Sequence, residues 1–287
     1  MAGLTPLRTA RSLVDAAAKR LSTSTDGALD AEMLFRGVSG LSRAELLARG
    51  NELVDESVAA RFDEATARRE RHEPIQYILG IAAFWRDDFI VNESVLIPRP
   101  ETEILVEAVI ARLRARRESR ILDIGTGSGC IALSLLRDLS GATAVAVDLS
   151  EAALAVAGAN AERLGLASRV EFRQSRWLDS IGADEAFDAV VSNPPYVAPA
   201  DEASLPRAVR EFEPALALYA EPDDEISSYR AIAARVPSRL IPQGLIALEV
   251  GFGQAERVAS LLDRSGFTGI ETLNDLAGIA RVVLGRR

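Results

Sequence analysis

Residues 120–129, RILDIGTGSG, carry an apolar strand straight into a turn with glycines at positions 125, 127 and 129, and an apolar helix candidate follows. Glycine accepts backbone angles and close ligand approach that a Cβ would block, so this turn reads as a binding loop on a buried strand. From Arg120 onward the pattern repeats. Strand candidates fall at 120–124, 143–147, 169–173, 187–192, 245–250, 268–273 and 280–284, with helix candidates at 128–138, 151–164, 224–236 and 253–264. Such alternation predicts an α/β fold, a doubly wound sheet with helices on both faces. The link between the last two strands, Asn274 to Ile279, is too short for a crossover helix, so these two should pair antiparallel.

The chain has 287 residues, enough for about two domains at the usual domain size. No apolar run approaches the ~18 residues that span a bilayer, and no basic patch followed by an apolar core opens the sequence. Neither a membrane anchor nor a secretory signal is expected. A single cysteine, Cys130, excludes an internal disulfide framework and fits a reducing cytoplasm. The net charge is −1 over residues 1–74 and −8 over residues 75–287. A protein tracking nucleic-acid phosphates needs a basic field, and neither part has one. The one histidine, His72, precedes Glu73-Pro74 and reads as a solvated boundary residue, so a histidine-based triad or zinc site is not expected.

Residues 1–73 read as a small helical domain. Leu13, Ala16, Ala17 and Leu21 recur at helical spacing, as do Leu29, Met33 and Leu34, then Val54, Val58 and Phe62. Ser42-Arg43-Ala44-Glu45 has the form of a capping box, in which serine and glutamate satisfy each other's free backbone N–H groups. Residues 74–100 form a linker, and the β-branched and aromatic run 75–97 predicts a hairpin. A helix is expected from about 102 to 116. The rest, 101–287, is the α/β domain.

The glycine turn does not match a dinucleotide fingerprint, because the third glycine of G-x-G-x-x-G would fall at Cys130. The observed G-x-G-x-G, with Asp123 two residues ahead of it, resembles the first motif of S-adenosylmethionine methyltransferases. The second strand ends at Asp148, placed to accept hydrogen bonds from two ribose hydroxyls, a geometry shared by dinucleotides and S-adenosylmethionine. Trp177, in the turn after the third strand, is either a stacking face for an adenine or a core tryptophan.

The fourth strand ends in Asn193-Pro194-Pro195-Tyr196. Ligands bind at the carboxyl ends of strands in open α/β sheets. The lone pair of an amide or aryl-amine nitrogen is conjugated, so such a nitrogen attacks a methyl group poorly unless its N–H groups are held and the lone pair aimed. The Asn193 side-chain oxygen and the Pro194 carbonyl are suitable acceptors, and two prolines fix the backbone that carries them. Tyr196 offers an aromatic face to a planar group and attraction to developing positive charge.

Taken with Gln76–Gly80, Phe84–Trp85, Ile97–Glu103 (IPRPETE) and Phe212–Leu218 (FEPALAL), these motifs resemble the N5-glutamine methyltransferases of peptide-chain release factors, the HemK/PrmC type. The likeness covers nearly the whole chain, and Pro98–Glu103 is its most specific part. It implies a class I methyltransferase sheet of seven strands with an antiparallel last strand, behind a small N-terminal helical domain that recognises the substrate. It implies methyl transfer from S-adenosylmethionine, with S-adenosylhomocysteine as product and no metal, to the glutamine of a release factor's Gly-Gly-Gln motif. By position, Gly125, Thr126, Gly127, Ser128, Gly129, Asp148, Trp177 and Asn193 would hold the cofactor. Asn193, Pro194, Pro195 and Tyr196 would bind the glutamine, with Asn193, Pro194 and Tyr196 catalytic. A cytoplasmic monomer without direct nucleic-acid contact is expected. Arg176 stands where the family often has an acidic residue, and Tyr219–Pro222 where it tends to have glycines. Asn-Pro-Pro-Tyr also occurs in adenine-N6 methyltransferases of nucleic acids, the alternative reading, which the missing basic groove disfavours.

Overall fold

The protein is described by a computed structural model for residues 8–22 and 26–287. It divides into two compact units: one runs to Gly80 and takes in Arg207–Phe212, the other comprises Ile81–Pro206 and Glu213–Arg287.

Up to Gly80 the described residues of the first unit form α1 (Ala10–Arg20), α2 (Gly27–Ser39), α3 (Arg43–Arg49), α4 (Glu56–Glu70) and α5 (Ile75–Leu79). The capping box read at Ser42 and Glu45 starts α3. Leu13, Ala17, Leu21, Leu34, Phe35 and Phe62 meet in one cluster, with Phe35 and Phe62 edge to face at 5.2 Å. Each such side chain contributes roughly 1.5–3 kcal/mol when fully buried. Three residues of the expected apolar stripes point elsewhere: Ala16, Leu29 and Met33 are exposed. In α2 the core is met by Ala31, Leu34 and Phe35; Ala31 and Phe35 stand two residues, about half a turn, on from Leu29 and Met33.

The hairpin expected over 75–97 is shorter than the composition suggested. Ile75–Leu79 is helical because the Pro74 carbonyl accepts from both Tyr77 and Ile78, and Gly80, at φ 73°, closes the turn in the left-handed region. The true hairpin pairs β1 (Ile81–Phe84) with β2 (Asp87–Ile90). Helix α6 (Thr102–Leu113) then leads into the sheet, three residues shorter than expected.

The α/β unit continues with β3 (Ser119–Ile124), α7 (Cys130–Asp138), β4 (Ala142–Asp148), α8 (Glu151–Arg163), β5 (Val170–Gln174) and β6 (Phe187–Ser192). After α9 (Arg207–Phe212), which belongs to the first unit, come α10 (Ala215–Leu218), α11 (Ser227–Arg235), β7 (Leu240–Glu249), α12 (Ala255–Arg264), β8 (Thr268–Asn274) and β9 (Ala280–Arg286). The seven strands lie in the order β5-β4-β3-β6-β7-β9-β8. The first five run parallel, and β9 slots between β7 and β8, antiparallel to both. The short Asn274–Ile279 link thus does what its length requires. Strand β7 begins five residues before the expected start, and its register against β6 slips between Phe187 and Ala189.

Both faces of the sheet are covered. Alternate residues Ile121, Ala146, Ala189, Val191 and Ala247 pack under α6 and α7. Their neighbours Leu122, Ile124, Val145, Val147, Val190 and Ile246 pack under α11 and α12. A parallel strand sealed on both sides has no polar face, which is why these strands read as unbroken apolar runs.

Candidate active site

The carboxyl ends of β3, β4, β6 and β7 come level along one edge of the sheet. Ile124 pairs with Val147 on one side and with Ser192 on the other, and Ser192 pairs with Leu248. The next residue on each strand, Gly125, Asp148, Asn193 and Glu249, therefore leaves the sheet in one row. Adjacent strands stand about 4.8 Å apart, so residues distant in sequence become neighbours. The Ser192 hydroxyl donates to the Ile124 carbonyl at 2.6 Å, tying the glycine turn to the tetrapeptide at its root.

Gly125, Gly127 and Gly129 all have positive φ, at 74°, 55° and 80°. The N–H groups of Gly125 and Thr126 both donate to the Val147 carbonyl, and the Gly127 N–H donates to Asp148 Oδ2 at 2.9 Å. A Cβ added at Gly125 or Gly127 would enter open space. That space belongs to a cavity of about 730 Å³ lined by the turn, Asp148, Trp177, Asn193 and Pro195, with Leu96, Pro98, Thr102, Pro214 and Ala217 across it.

Asp123 anchors the turn from inside. Fully buried, its Oδ2 accepts from the Thr126 hydroxyl at 2.7 Å and from the Ala132 N–H at 3.3 Å. Burial pushes its carboxyl up to about 7, against the pull of those hydrogen bonds. Asp148 is held differently: Oδ1 accepts from the Ser150 N–H at 2.9 Å while Oδ2 takes Gly127. Burial raises its pKa, and those backbone donors oppose the shift. Trp177 is half-buried at φ 53°, packed in part against the core and in part lining the cavity. Arg176 reaches Glu221 at 3.9 Å on the rim.

The tetrapeptide is held through its backbone. The Pro195 carbonyl accepts from the Ser228 hydroxyl at 3.1 Å and the Tyr196 carbonyl from Gln254 Nε2 at 3.0 Å. Among the described residues the Pro194 carbonyl accepts no hydrogen bond; Pro194 is buried, and of the tetrapeptide only Asn193 and Pro195 line the cavity. Asn193 Nδ2 donates to the Thr102 hydroxyl at 3.3 Å, leaving Oδ1 as the other pole of the amide. Tyr196 packs partly on the core, and its ring lies so close to Gly251 that a Cβ there would stand 2.9 Å from Cδ2. Burial pushes the Tyr196 phenol up to about 12, so it stays protonated.

Several supporting residues escaped the sequence reading. Asn160, on α8, is wholly buried: its Oδ1 accepts from the Ile90 N–H at 2.7 Å, and Nδ2 donates to the carbonyls of Ile90 and Ser128. Glu213 accepts from the Ile97 N–H and from Arg99, so it fastens the Pro98–Glu103 segment to the start of α10. Glu249, buried at the end of β7, completes the row. A lone Asn or Glu inside an apolar pattern gives no local signal of its partners; Glu213 alone was flagged, within the Phe212–Leu218 segment.

The strand order, the glycine turn and the row of polar residues at the strand tips define a class I methyltransferase. A solved 16S rRNA N2 G1207 methyltransferase of T. Thermophilus, in complex with AdoMet and guanosine, shares the fold at a TM-score of 0.52 and 21% identity, over 72% of this chain and 49% of that one. The family descriptions "PrmC N-terminal domain" and "Methyltransferase small domain" match residues 12–80 and 100–212. A release factor glutamine methyltransferase of Neisseria gonorrhoeae is 42% identical over 90% of this chain and 93% of its own length. Another, of Rhodospirillum rubrum, is 43% identical over 90% of this chain and 78% of its own. The chain belongs to the release factor glutamine methyltransferase family. Among the described residues no group of three or more histidine, cysteine, aspartate or glutamate side chains is arranged to hold a metal ion, and no helix is long and apolar enough to cross a membrane.

Proposed function

We propose that this chain methylates the side-chain amide nitrogen of the glutamine in the Gly-Gly-Gln motif of peptide-chain release factors, in the cytoplasm. Family membership and the row of strand tips support the reading. The observation that carries it is the pair of acceptors at the end of β6: Asn193 Oδ1, opposite an anchored Nδ2, and the unengaged Pro194 carbonyl.

The turn fits S-adenosylmethionine, because open space stands where Cβ atoms at Gly125 and Gly127 would project and Asp148 keeps lone pairs for ribose hydroxyls after accepting two backbone N–H groups. Gly125, Thr126, Gly127, Ser128, Gly129, Asp148, Trp177 and Asn193 would hold it. Its contribution is an electrophilic methyl on a sulfonium, which leaves as the thioether of S-adenosylhomocysteine. Asn193 and Pro194 accept the two N–H groups of the glutamine amide, which turns the nitrogen lone pair toward that methyl. The N–C bond would form as the sulfonium S–CH3 bond breaks, and one N–H proton would pass to water, leaving neutral N5-methylglutamine. Pro195 stiffens the loop, and the Tyr196 ring covers the planar amide and favours developing positive charge. Because Ser228 and Gln254 hold the backbone beforehand, no reorganisation is needed when substrate arrives. Residues 1–73, with the linker 74–100, are proposed to recognise the body of the release factor.

The test is mass spectrometry of a purified release factor incubated with the protein and S-adenosylmethionine, with DNA and RNA oligonucleotides as controls. One added methyl on the Gly-Gly-Gln glutamine is expected. Asn193→Ala should lower turnover by roughly 10²-fold or more, the usual loss of a preorganised acceptor, while calorimetric cofactor affinity stays within several-fold. Methylated oligonucleotide with unmodified release factor would reverse the assignment in favour of adenine chemistry.

A further inference from the structure

The reaction just described needs the Asn193 carboxamide in one of its two orientations. Turned by half a revolution, it would offer Nδ2 to the substrate N–H groups, donor against donor. Nothing within the tetrapeptide selects between the two. Its immediate partner, the buried Thr102 hydroxyl at the start of α6, can either accept from Nδ2 or donate to Oδ1.

Glu249 stands behind this pair. It ends β7 level with Asn193, through the Ser192–Leu248 pairing, and is 3% exposed. Its Oε2 has no hydrogen-bond partner among the described residues. The Thr102 and Asn193 side chains are the polar groups that draw this carboxyl back toward its ionised form against burial. A buried carboxylate with so few partners is expensive to keep, and nothing in the sheet's packing requires one.

We propose that Glu249 is a positioning residue: as an acceptor-only group it takes the Thr102 hydroxyl proton, so that Thr102 can only accept from Asn193 Nδ2 and Oδ1 is left facing the substrate. The inference rests on the role given to Asn193 above. When Glu249 is protonated it can donate to Thr102, whose own hydrogen is then free for Asn193 Oδ1, and the carboxamide can turn. Burial, and then the neighbouring Glu101 charge, push the Glu249 carboxyl up to about 7, against Thr102, Arg281 and Asn193. The phenols of Tyr196 and Tyr229 and the Cys130 thiol also feel its charge and are raised by burial; Asp123, beneath the glycine turn, is likewise pushed up to about 7, so the Glu249→Gln comparison is what assigns an acid limb to Glu249.

Glu249→Gln places a permanent donor where the protonated acid would have one. At about pH 8 its kcat should fall roughly 10- to 100-fold, with KM and calorimetric S-adenosylmethionine affinity within about twofold of wild type. Wild-type kcat should decline as pH drops through about 7, and Glu249→Gln should lack that decline. Thr102→Val, which removes the relay at constant volume, should lower kcat to a similar extent. Wild-type kcat in Glu249→Gln, or an acid limb that persists in it, overturns the proposal. If that variant does not fold, Thr102→Val and the wild-type profile decide, and a flat wild-type profile between about pH 6 and about pH 8 overturns it equally. Asn193→Ala separates the two layers: full turnover there removes the acceptor reading itself, whereas a dead Asn193→Ala beside a fully active Glu249→Gln removes the Glu249 role alone.

Discussion

Replacing Asn160 by alanine removes a brace beneath the cofactor turn. The side chain makes three hydrogen bonds: from Ile90 N–H at 2.7 Å, to Ile90 C=O at 3.0 Å and to Ser128 C=O at 2.9 Å. Each net bond is worth about 1 kcal/mol, and a partner left buried without water loses more, about 1–3 kcal/mol. Ile90 ends the edge strand β2 and is half-buried, so water can reach its groups; Ser128 is 2% exposed and its carbonyl is stranded. The sum is about 3–4 kcal/mol, a sizeable part of the 5–15 kcal/mol that stabilises a typical domain. For a domain of this size that lowers Tm by roughly 6–16 °C. Scanning calorimetry checks it, with Asn160→Asp as the companion. Aspartate keeps the acceptor for Ile90 N–H but faces two carbonyls with an anion, so it should be at least as damaging at pH 8. At low pH the protonated carboxyl can donate one bond again. A buried acid with raised pKa contributes stability below its unfolded pKa of about 3.9 and loses it as pH rises through the folded value, so this variant should gain relative to Asn160→Ala on acidification. A Tm for Asn160→Ala within about 2 °C of wild type would show that the three bonds are worth nothing net, and the reasoning would fail.

Two further outcomes follow from the same site. Asp148→Ala should weaken S-adenosylmethionine binding by roughly 10²-fold, through lost charge-assisted hydrogen bonds and a loosened Gly127, with a smaller effect on turnover at saturating cofactor; unchanged calorimetric affinity removes Asp148 from the site. Asp123, raised to about 7 by burial, contributes stability that is present below about 3.9 and lost as pH rises through about 7. Asp123→Asn can still accept from Thr126 or Ala132 and does not ionise, so its stability curve should flatten between about pH 4 and about pH 7, and a curve parallel to wild type would contradict the assignment.

Local chemistry alone determined a large part of this protein. The glycine turn, the acidic end of the second strand and Asn193–Tyr196 could be located because strands sealed on both faces announce themselves as apolar runs, and these segments follow directly after them. The antiparallel end of the sheet followed from a link too short to cross over. Where the reading slipped, local signals competed. Ile and Tyr content favours strand at 75–79, but Pro74 and Gly80 close a helical turn there. The Leu29–Met33 pair has the right spacing for a core stripe but faces outward.

What only the tertiary structure decided is partnership across the chain. Strand order is set by how sheets are wound, not by any residue on the strand, so nothing local says that Glu249 ends up level with Asn193 or that Asn160 reaches back to Ser128 and Ile90. A buried polar group is legible only once its neighbours are in place, since its energy depends on whether they answer it. The sequence could name Asn193–Tyr196 at the tip of a strand; the packing of the sheet chose what stands behind them.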